Sequence, residues 1–242
     1  MAAPSSHAAG IAPAISVVVP VLDEADNLGR ILPDLVRRWP RAEVVVVDGG
    51  STDGTPQVVA RHGPARWLRA TPGRARQMNA GARATAGDAL VFLHADTRLP
   101  DGALEAVARA LADRRIVGGR FDVRFDSRRR IMRVVAWFMN ARSRLSRIST
   151  GDQAIFVRRS VFEAMGGFPD IPLMEDVEFS RRLKRRGAIA CLRSSVTTSA
   201  RKWEREGPIR TIVLMWTLRL LYACGVSPAR LHAWYYGRPA AP

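Results

Sequence analysis

The chain has 242 residues, 47% of them hydrophobic, which is enough for one packed core and too little for two large ones. Its two cysteines, Cys191 and Cys224, form no CxxC pair, which argues against a zinc site, and a chain of this length with a large core argues against a disulfide framework. Two small buried side chains are predicted instead. The formal net charge of +16 comes almost entirely from arginine and favours either anionic partners or simply a well-solvated surface.

The first predicted elements follow a short lead-in. Residues 1–13 are expected to be disordered, and the apolar stretch over 8–22 has no preceding basic residue, which argues against a signal peptide. Residues 15–20 are β-branched and apolar, as in a strand buried on both faces. Apolar residues at helical spacing then predict a helix that ends before Pro40, and residues 43–47 form a second buried strand.

The alternation of strand and helix continues to about residue 115. A glycine-rich loop and a short helix with Val58 and Val59 lead to a short strand over 66–69, a helix over 73–84, a strand over 89–94 and a helix marked by Leu104 and Leu111. This order predicts an α/β fold with a Rossmann-like, doubly wound, mostly parallel sheet and helices on both faces. Ligands of such sheets bind beyond the carboxyl ends of the strands.

The pattern changes after residue 115. It predicts strands over 116–125, 154–157 and 188–192, an amphipathic helix around 131–139 and another helix over 174–186. The C-terminal stretch over 209–224 is dense in apolar side chains and arginine, and no uncharged apolar run reaches the roughly 18 residues of a transmembrane helix. We expect an amphipathic helix that either lies on an anionic membrane or packs on the domain or in a dimer.

Carboxylates follow three of the predicted strands. Asp23 and Glu24 follow the first, Asp48 the second and Asp96 the strand that ends at His94. In one parallel sheet these side chains would converge on a single crevice, although each alone is equally typical of a turn or a helix cap. The glycine loop lies after the second strand and fits neither a dinucleotide-binding nor a P-loop fingerprint.

These segments resemble a known family. PVLDE at 20–24, VVVDGGSTDGT at 45–55, FLHAD at 92–96 and MEDVEF at 174–179 are similar, in order and spacing, to four motifs of the family 2 glycosyltransferases. The resemblance covers about residues 15–205. It implies a GT-A fold and an inverting transfer of a sugar from a nucleoside-diphosphate donor, with a bias toward uridine.

The resemblance also implies roles for individual residues. Asp48 would read the base, while Asp96 would hold a divalent ion, Mn²⁺ or Mg²⁺, against the diphosphate. His94 stands where the family usually has aspartate, so it contacts ribose, touches the metal or simply ends a strand. The expected nucleotide-binding set is Pro20, Val21, Glu24, Asp48, Gly49, Ser51, Arg74, Gln77 and Ala95.

The second half is expected to serve the acceptor. Asp176 is the candidate general base, and Glu175 beside it would raise its proton affinity, whereas the alternative is an acidic first helical turn. Asp152 and Gln153 are expected on the acceptor side, in contact with sugar hydroxyls; the alternative is that they only form a turn. Trp203 would stack on a sugar face or belong to the core.

The resulting hypothesis has three domains: the lead-in 1–13, a GT-A domain over 14–205 that divides near residue 115, and a helical appendage over 206–242. The partners expected are a nucleotide-sugar donor, an acceptor that is unidentified and either lipid-linked or not, and an anionic membrane through the C-terminal helix, but no nucleic acid. The protein is expected in the cytoplasm or on the inner face of the membrane. The alternatives are a sugar-nucleotide nucleotidyltransferase and a non-catalytic basic protein that binds membrane or nucleic acid.

Overall fold

A computed structural model describes residues 13–237, so all but the last residue of the predicted disordered lead-in lies outside the described part. The strands are β1 (Ile15–Val21), β2 (Glu43–Asp48), β3 (Ala65–Arg69), β4 (Ala89–Phe92), β5 (Thr97–Arg98), β6 (Ile116–Phe125), β7 (Ile155–Arg158) and β8 (Ala188–Thr198). The helices are α1 (Ala25–Arg38), α2 (Thr55–Ala60), α3 (Arg74–Arg83), α4 (Ala103–Ala112), α5 (Arg130–Ser146), α6 (Arg159–Ala164), α7 (Glu175–Leu183), α8 (Arg201–Glu206), α9 (Pro208–Ala223) and α10 (Pro228–Tyr236), with a short 3-10 helix over Gly151–Gln153.

All eight strands form one mixed sheet in the order β3-β2-β1-β4-β7-β6-β8-β5. The first four strands in that order are parallel, whereas β7 is antiparallel to both β4 and β6. β2, β1 and β4 are direct neighbours, so their carboxyl ends meet at one edge of the sheet. The predicted convergence of the three strand ends is therefore confirmed.

Helices cover both faces of the sheet. Val17 and Val19 of β1 point toward α1 and α4, while Val18 between them points toward α3, α6 and α7. This alternation follows from the two-residue period of a strand, and apolar residues on both faces explain why the valine runs are continuous. Gly81 lets α3 approach closely, because a β-carbon there would lie 2.4 Å from Val18 Cγ1.

Several element boundaries differ from the sequence prediction. β4 ends at Phe92, which leaves His94 in the loop that follows, and β8 continues to Thr198 because it pairs along β6 and then with β5. The expectation that both cysteines are buried is wrong. Cys224 is exposed near the end of α9, and Cys191 on β8 is partly exposed.

The C-terminal helices pack on the domain through one small cluster. Leu218 of α9 and Leu231 of α10 are buried against Met174, the residue that precedes α7. None of the helices between residues 13 and 237 is long and apolar enough to cross a membrane. The predicted C-terminal helix is thus present as α9, and α10 is an element that the sequence prediction did not include.

Candidate functional site

The loop after β2 is organised by Asp48. This side chain is almost fully buried, and its Oδ1 accepts hydrogen bonds from the backbone N–H groups of Gly50 (3.0 Å) and Ser51 (2.8 Å) and from Ser51 Oγ (2.6 Å). Gly50 has a φ of 103°, which favours glycine there. The Asp-Gly-Gly-Ser run thus folds into a tight turn at the sheet edge.

A second set of hydrogen bonds joins this loop to the one after β1. The backbone N–H of Asp23 donates to Ser51 Oγ, and Asp23 Oδ1 accepts from the N–H of Thr52 at 2.8 Å. The N–H of Glu24 donates to Thr55 Oγ1 at 3.1 Å. Many polar groups of these two loops therefore form hydrogen bonds to each other, which hold the loops in one fixed arrangement.

Gln77 closes the base of this arrangement from α3. Its Nε2 donates to the carbonyl oxygens of Val21 (2.7 Å) and Val47 (2.8 Å), and Gly49 packs directly on its side-chain amide. These bonds satisfy two carbonyls at the ends of neighbouring strands. The sequence suggested a contact of Gln77 with the ligand, whereas the structure gives its amide nitrogen a role in the scaffold; the contact stays a prediction.

Glu24 and Asp96 face each other across the ends of β1 and β4. Burial raises the pKa of Glu24 above its usual value, a hydrogen bond from Asn27 Nδ2 (2.6 Å) lowers it, and the negative charge of Asp96 raises it again. Arg201 also acts on Glu24 and donates to Asn27 Oδ1 at 2.9 Å. The segment after β8 thereby contacts the start of α1, next to the sheet edge at which β2, β1 and β4 end. Ala95 is buried between His94 and Asp96.

Arg74 connects the two halves of the molecule. It opens α3, its side chain is 48% exposed, and its Nη1 lies 3.6 Å from Oε1 of buried Glu175. Coulombic attraction also reaches it from Asp96 and Asp176. Arg74 is thus a half-exposed guanidinium among carboxylates from both halves, and we call this junction the cleft. A guanidinium there can also hold a second anion.

Asp176 and Glu175 lie at the start of α7. Asp176 Oδ2 accepts a hydrogen bond from the N–H of Gly151 (2.9 Å), and Oδ1 accepts one from the N–H of Val177 (2.7 Å). Burial raises the pKa of Asp176 despite these bonds. Burial, followed by the charge of Asp176, raises the pKa of Glu175 to about 7, although Arg74 opposes the shift. Two adjacent carboxyls with raised proton affinity, of which Glu175 is buried and Asp176 partly buried, are typical of acid–base sites.

The 3-10 turn beside Asp176 holds an unusual group of unsatisfied atoms. Within residues 13–237, four buried side-chain atoms around this turn have no hydrogen-bond partner: Asp152 Oδ1, Gln153 Nε2, His94 Nε2 and Arg142 Nε. The His94 ring packs on Gly151, and burial followed by Arg74 lowers its pKa to about 3, so the ring is neutral. Such atoms require a hydrogen-bond partner, which a ligand or an ordered water molecule can supply.

Arg142 is a residue that sequence reasoning missed. It projects from α5, and the charges of Asp152 and Asp176 both act on it, while burial lowers its pKa. The only sequence signal was its position one turn past the apolar stripe of α5, which is also typical of a solvated arginine. Trp203, in contrast, lies against Phe125 with ring centroids 5.4 Å apart, and its predicted stacking on a sugar stays a prediction.

The side chains available as ligands restrict the kind of metal ion that can bind. Among the described residues there is no group of three or more histidine, cysteine, aspartate or glutamate side chains arranged to hold an ion. A closed structural site is therefore not preformed there. Asp96 can instead supply one carboxylate to a hard cation that takes its remaining ligands from phosphate oxygens and water, as Mg²⁺ commonly does.

Comparison with known proteins gives one family. Residues 16–166 match the model described as glycosyl transferase family 2. Uncharacterized glycosyltransferases of Mycobacterium tuberculosis and Mycobacterium bovis are 31% identical over 98 residues, which is 40% of this chain and 44% of each relative. The match thus spans less than half the length of these relatives.

Solved structures show the same fold. TarS of S. aureus (residues 1–349) has a TM-score of 0.63 at 17% identity, covering 77% of this chain and 60% of that one, and is also known in complex with UDP-GlcNAc. The mannosyltransferase PcManGT of Pyrobaculum calidifontis, in complex with GDP-Man and Mn²⁺, has a TM-score of 0.64 at 22% identity and covers 96% of this chain and 67% of that one. The fold is therefore GT-A, as the motifs implied.

Proposed function

Because this chain belongs to glycosyl transferase family 2, we propose that it transfers a sugar from a nucleoside-diphosphate donor to an acceptor hydroxyl, with inversion at the anomeric carbon. The single observation that carries the proposal is the cleft that Arg74 bridges, with Glu24 and Asp96 on one wall and Glu175 and Asp176 on the other. This cleft lies at the carboxyl ends of parallel strands, where α/β proteins of this kind bind nucleotides.

The donor occupies the first half in this proposal. Pro20, Val21 and Glu24 border the base and ribose, together with Gly49, Ser51 and Ala95. The buried carboxylate of Asp48 accepts from a ring N–H of the base, for which its hydrogen-bonded turn provides a fixed position. UDP-GlcNAc binds TarS and GDP-Man binds PcManGT, so the fold accepts either base, and we propose a UDP-sugar for this chain.

Asp96 holds a divalent ion, Mn²⁺ or Mg²⁺, when the donor is bound. Support comes from its carboxylate in the cleft and from the Mn²⁺ that accompanies GDP-Man in PcManGT. The ion supplies Lewis-acid stabilisation to the leaving diphosphate. Arg74 adds a positive charge on the same side without an ion, and a guanidinium can contact two phosphate oxygens at once.

Asp176 removes the proton of the attacking hydroxyl. A bond forms between the acceptor oxygen and the anomeric carbon, the bond from that carbon to the diphosphate oxygen breaks, and the proton goes to the carboxylate. Gly151 and Val177 fix the side chain through backbone hydrogen bonds, and burial raises its pKa, which makes it a better base. Glu175 ties α7 to Arg74 through their ion pair.

The acceptor binds against the 3-10 turn. Asp152 Oδ1 accepts and Gln153 Nε2 donates, so together they match a sugar or other polyol, whose hydroxyls do both. His94 and Arg142 extend the same surface. A lipid-linked acceptor fits the position of α9, which we propose lies on an anionic membrane at the cytoplasmic side, and Trp203 is placed at the rim of this acceptor side.

Product analysis tests the proposal. The full chain would be incubated with UDP-sugars, Mn²⁺ and a lipid extract, and the released nucleotide would be identified by chromatography. We expect UDP and a glycosylated product whose anomeric configuration, read by NMR, is opposite to that of the donor. Release of pyrophosphate in a parallel incubation with UTP and a sugar 1-phosphate, with no UDP formed from UDP-sugars, would instead identify a nucleotidyltransferase. Retention of configuration would contradict the role of Asp176 as a base.

A further inference from the structure

We propose that α5 and α9 together form one docking surface for an anionic lipid bilayer. The two helices pack side by side, although about 60 residues separate them in the chain. We call the outward side of this pair the α5/α9 surface. The sequence suggested membrane association for the C-terminal helix alone and predicted α5 only as an amphipathic helix. The contact between the two helices adds α5 to the proposed surface.

The outward side of both helices carries large apolar side chains. On α5, Val134, Trp137 and Phe138 are exposed, with Trp137 at 63%. On α9, the exposed residues Ile209, Val213, Trp216 and Leu220 recur at helical spacing, with Trp216 also at 63%. Seven large apolar side chains exposed on two helices that contact each other are more than the scattered single residues that a monomer ordinarily leaves in water.

The opposite sides of the helices are already occupied. Met132 and Val135 of α5 are buried, and Leu218 of α9 is buried against Met174. Each helix therefore already has an inward apolar side that packs on the domain. They form a second apolar face that nothing within residues 13–237 covers.

The charge of the surrounding segments identifies the occupant. Residues 127–151 contain seven arginines and residues 207–242 contain four, and neither segment contains a single aspartate or glutamate. Of these, Arg128, Arg129, Arg130, Arg133 and Arg210 are exposed and form no ion pair with any part of the chain that the structure describes. A surface of tryptophan, phenylalanine and unpaired arginine matches lipid headgroups above an acyl boundary.

The same charge argues against a second copy of the chain. A symmetric dimer through the α5/α9 surface would bring the same patch of each protomer together. The arginines of both protomers would then face each other with no carboxylate from these segments between them, which is costly. An open groove of about 380 Å³ between Arg130, Arg133, Val134 and Trp137 further suits a phosphate headgroup with its first methylenes.

The inner side of the surface reaches the cleft. Arg142 of α5 acts on Asp176, and Tyr222 of α9 donates a hydrogen bond to Glu178, two residues beyond Asp176. If the proposed function holds, docking would place the acceptor side of the cleft next to the bilayer. The docking itself does not depend on catalysis, so it can be tested without any donor.

Vesicle binding of the full chain tests the inference. Vesicles of phosphatidylcholine alone would be compared with vesicles that also contain phosphatidylglycerol, in flotation and titration experiments. Two double variants address the helices separately: Trp137→Ser with Phe138→Ser on α5, and Trp216→Ser with Leu220→Ser on α9. Trp67→Ser on β3 is the matched control, because Trp67 is 44% exposed and lies on the edge strand of the sheet, outside both helices.

We expect binding only to the anionic vesicles and a loss of about tenfold or more in affinity for each double variant, since two apolar side chains leave the acyl boundary. The control should stay within about twofold, and thermal unfolding should show that all variants fold. Arg130→Gln with Arg133→Gln should weaken binding and its dependence on salt, without removing apolar area.

Three results would overturn the inference. One is an α5 double variant that binds anionic vesicles as the unaltered chain does. Another is equal binding to neutral and anionic vesicles. The third is a dimer in sedimentation equilibrium that dissociates on substitution of either helix, because the surface would then be an interface between copies.

Discussion

The two walls of the cleft differ in how their polar atoms are satisfied. On the wall that we propose binds the donor, here called the donor wall, Asp48, Ser51 and Gln77 bond to one another's loops and strand ends, so the turn exists before any ligand binds. On the wall that we propose binds the acceptor, here called the acceptor wall, Asp152 and Gln153 keep buried atoms without partners among the described residues, and the carboxyls of Asp152 and Glu175 have raised pKa values.

This difference separates two tasks. A wall whose groups are fixed by internal hydrogen bonds can bind a rigid, recurrent ligand such as a nucleotide with little reorganisation. A wall whose buried polar groups lack a protein partner, and whose carboxyls can be protonated, leaves hydrogen-bonding and proton-accepting capacity for a ligand to use. Substitutions on the acceptor wall should therefore reduce turnover, whereas substitutions on the donor wall should reduce stability or donor affinity.

The largest expected effect is at Asp176. Asp176→Asn keeps the shape and an oxygen acceptor but removes the base, so we expect kcat to fall on the order of a thousandfold. Donor affinity should change little, because the proposed nucleotide site lies on the other wall. Steady-state release of UDP and titration of UDP measure the two quantities.

Glu178→Gln is the matched control for that experiment. It removes a carboxylate from the same helical turn, where Glu178 contacts Tyr222 and Arg181. Its kcat should stay close to that of the unaltered chain. A normal kcat for Asp176→Asn would contradict the assignment of the base.

A smaller effect is expected on stability at Glu175. Its pKa is raised from 4.5 to about 7, so between these pH values the folded chain holds a proton that the unfolded chain has released. Stability is therefore lost as the pH rises through this window. Glu175→Gln carries no such charge and should be more stable than the unaltered chain above pH 7, by on the order of 1–3 kcal/mol.

Urea denaturation at several pH values measures this difference. The gain should disappear below a pH of about 4.5, where Glu175 is protonated in both states. An equal difference at all pH values would show that packing, not ionisation, is responsible. Activity should fall in the same variant, because Arg74 loses the partner that holds it at the cleft.

The smallest effect is expected on the donor wall at Gln77. Gln77→Leu leaves the carbonyls of Val21 and Val47 without their side-chain donor, which should cost about 1–2 kcal/mol of unfolding free energy. Gln57→Leu, at an exposed position of α2, is the control and should hardly change the unfolding free energy. Equal stability of the two variants would mean that Gln77 does not hold the strand ends.

The sequence was sufficient for the parallel part of the fold. Valine runs with periodic helices between them predicted β1, β2 and β4 and their shared edge, and four motifs in order predicted the family, which the match over residues 16–166 confirms. These features are local or depend only on strand order. The antiparallel insertion of β7 and the two-residue β5 were not predictable, because they depend on pairing between distant segments.

The site was predictable as a set of residues but not as a set of contacts. The sequence placed Asp48 and Gln77 at the ligand, while their hydrogen bonds to neighbouring backbone groups required the folded loops. No sequence motif marked Arg142, because the residue comes within reach of the charge of Asp176 only when α5 packs in the folded chain. The assigned roles of all these residues toward donor, metal and acceptor stay predictions.

The most direct test of the central claim is a calorimetric titration of UDP with and without Mn²⁺. For the unaltered chain and for Asp26→Asn, an exposed control, Mn²⁺ should strengthen UDP binding by about tenfold or more, whereas Asp96→Asn should bind UDP equally weakly in both conditions. Equal weak binding by the unaltered chain with and without the ion, or a full effect of Mn²⁺ in Asp96→Asn, would contradict a cation-assisted donor site at this sheet edge.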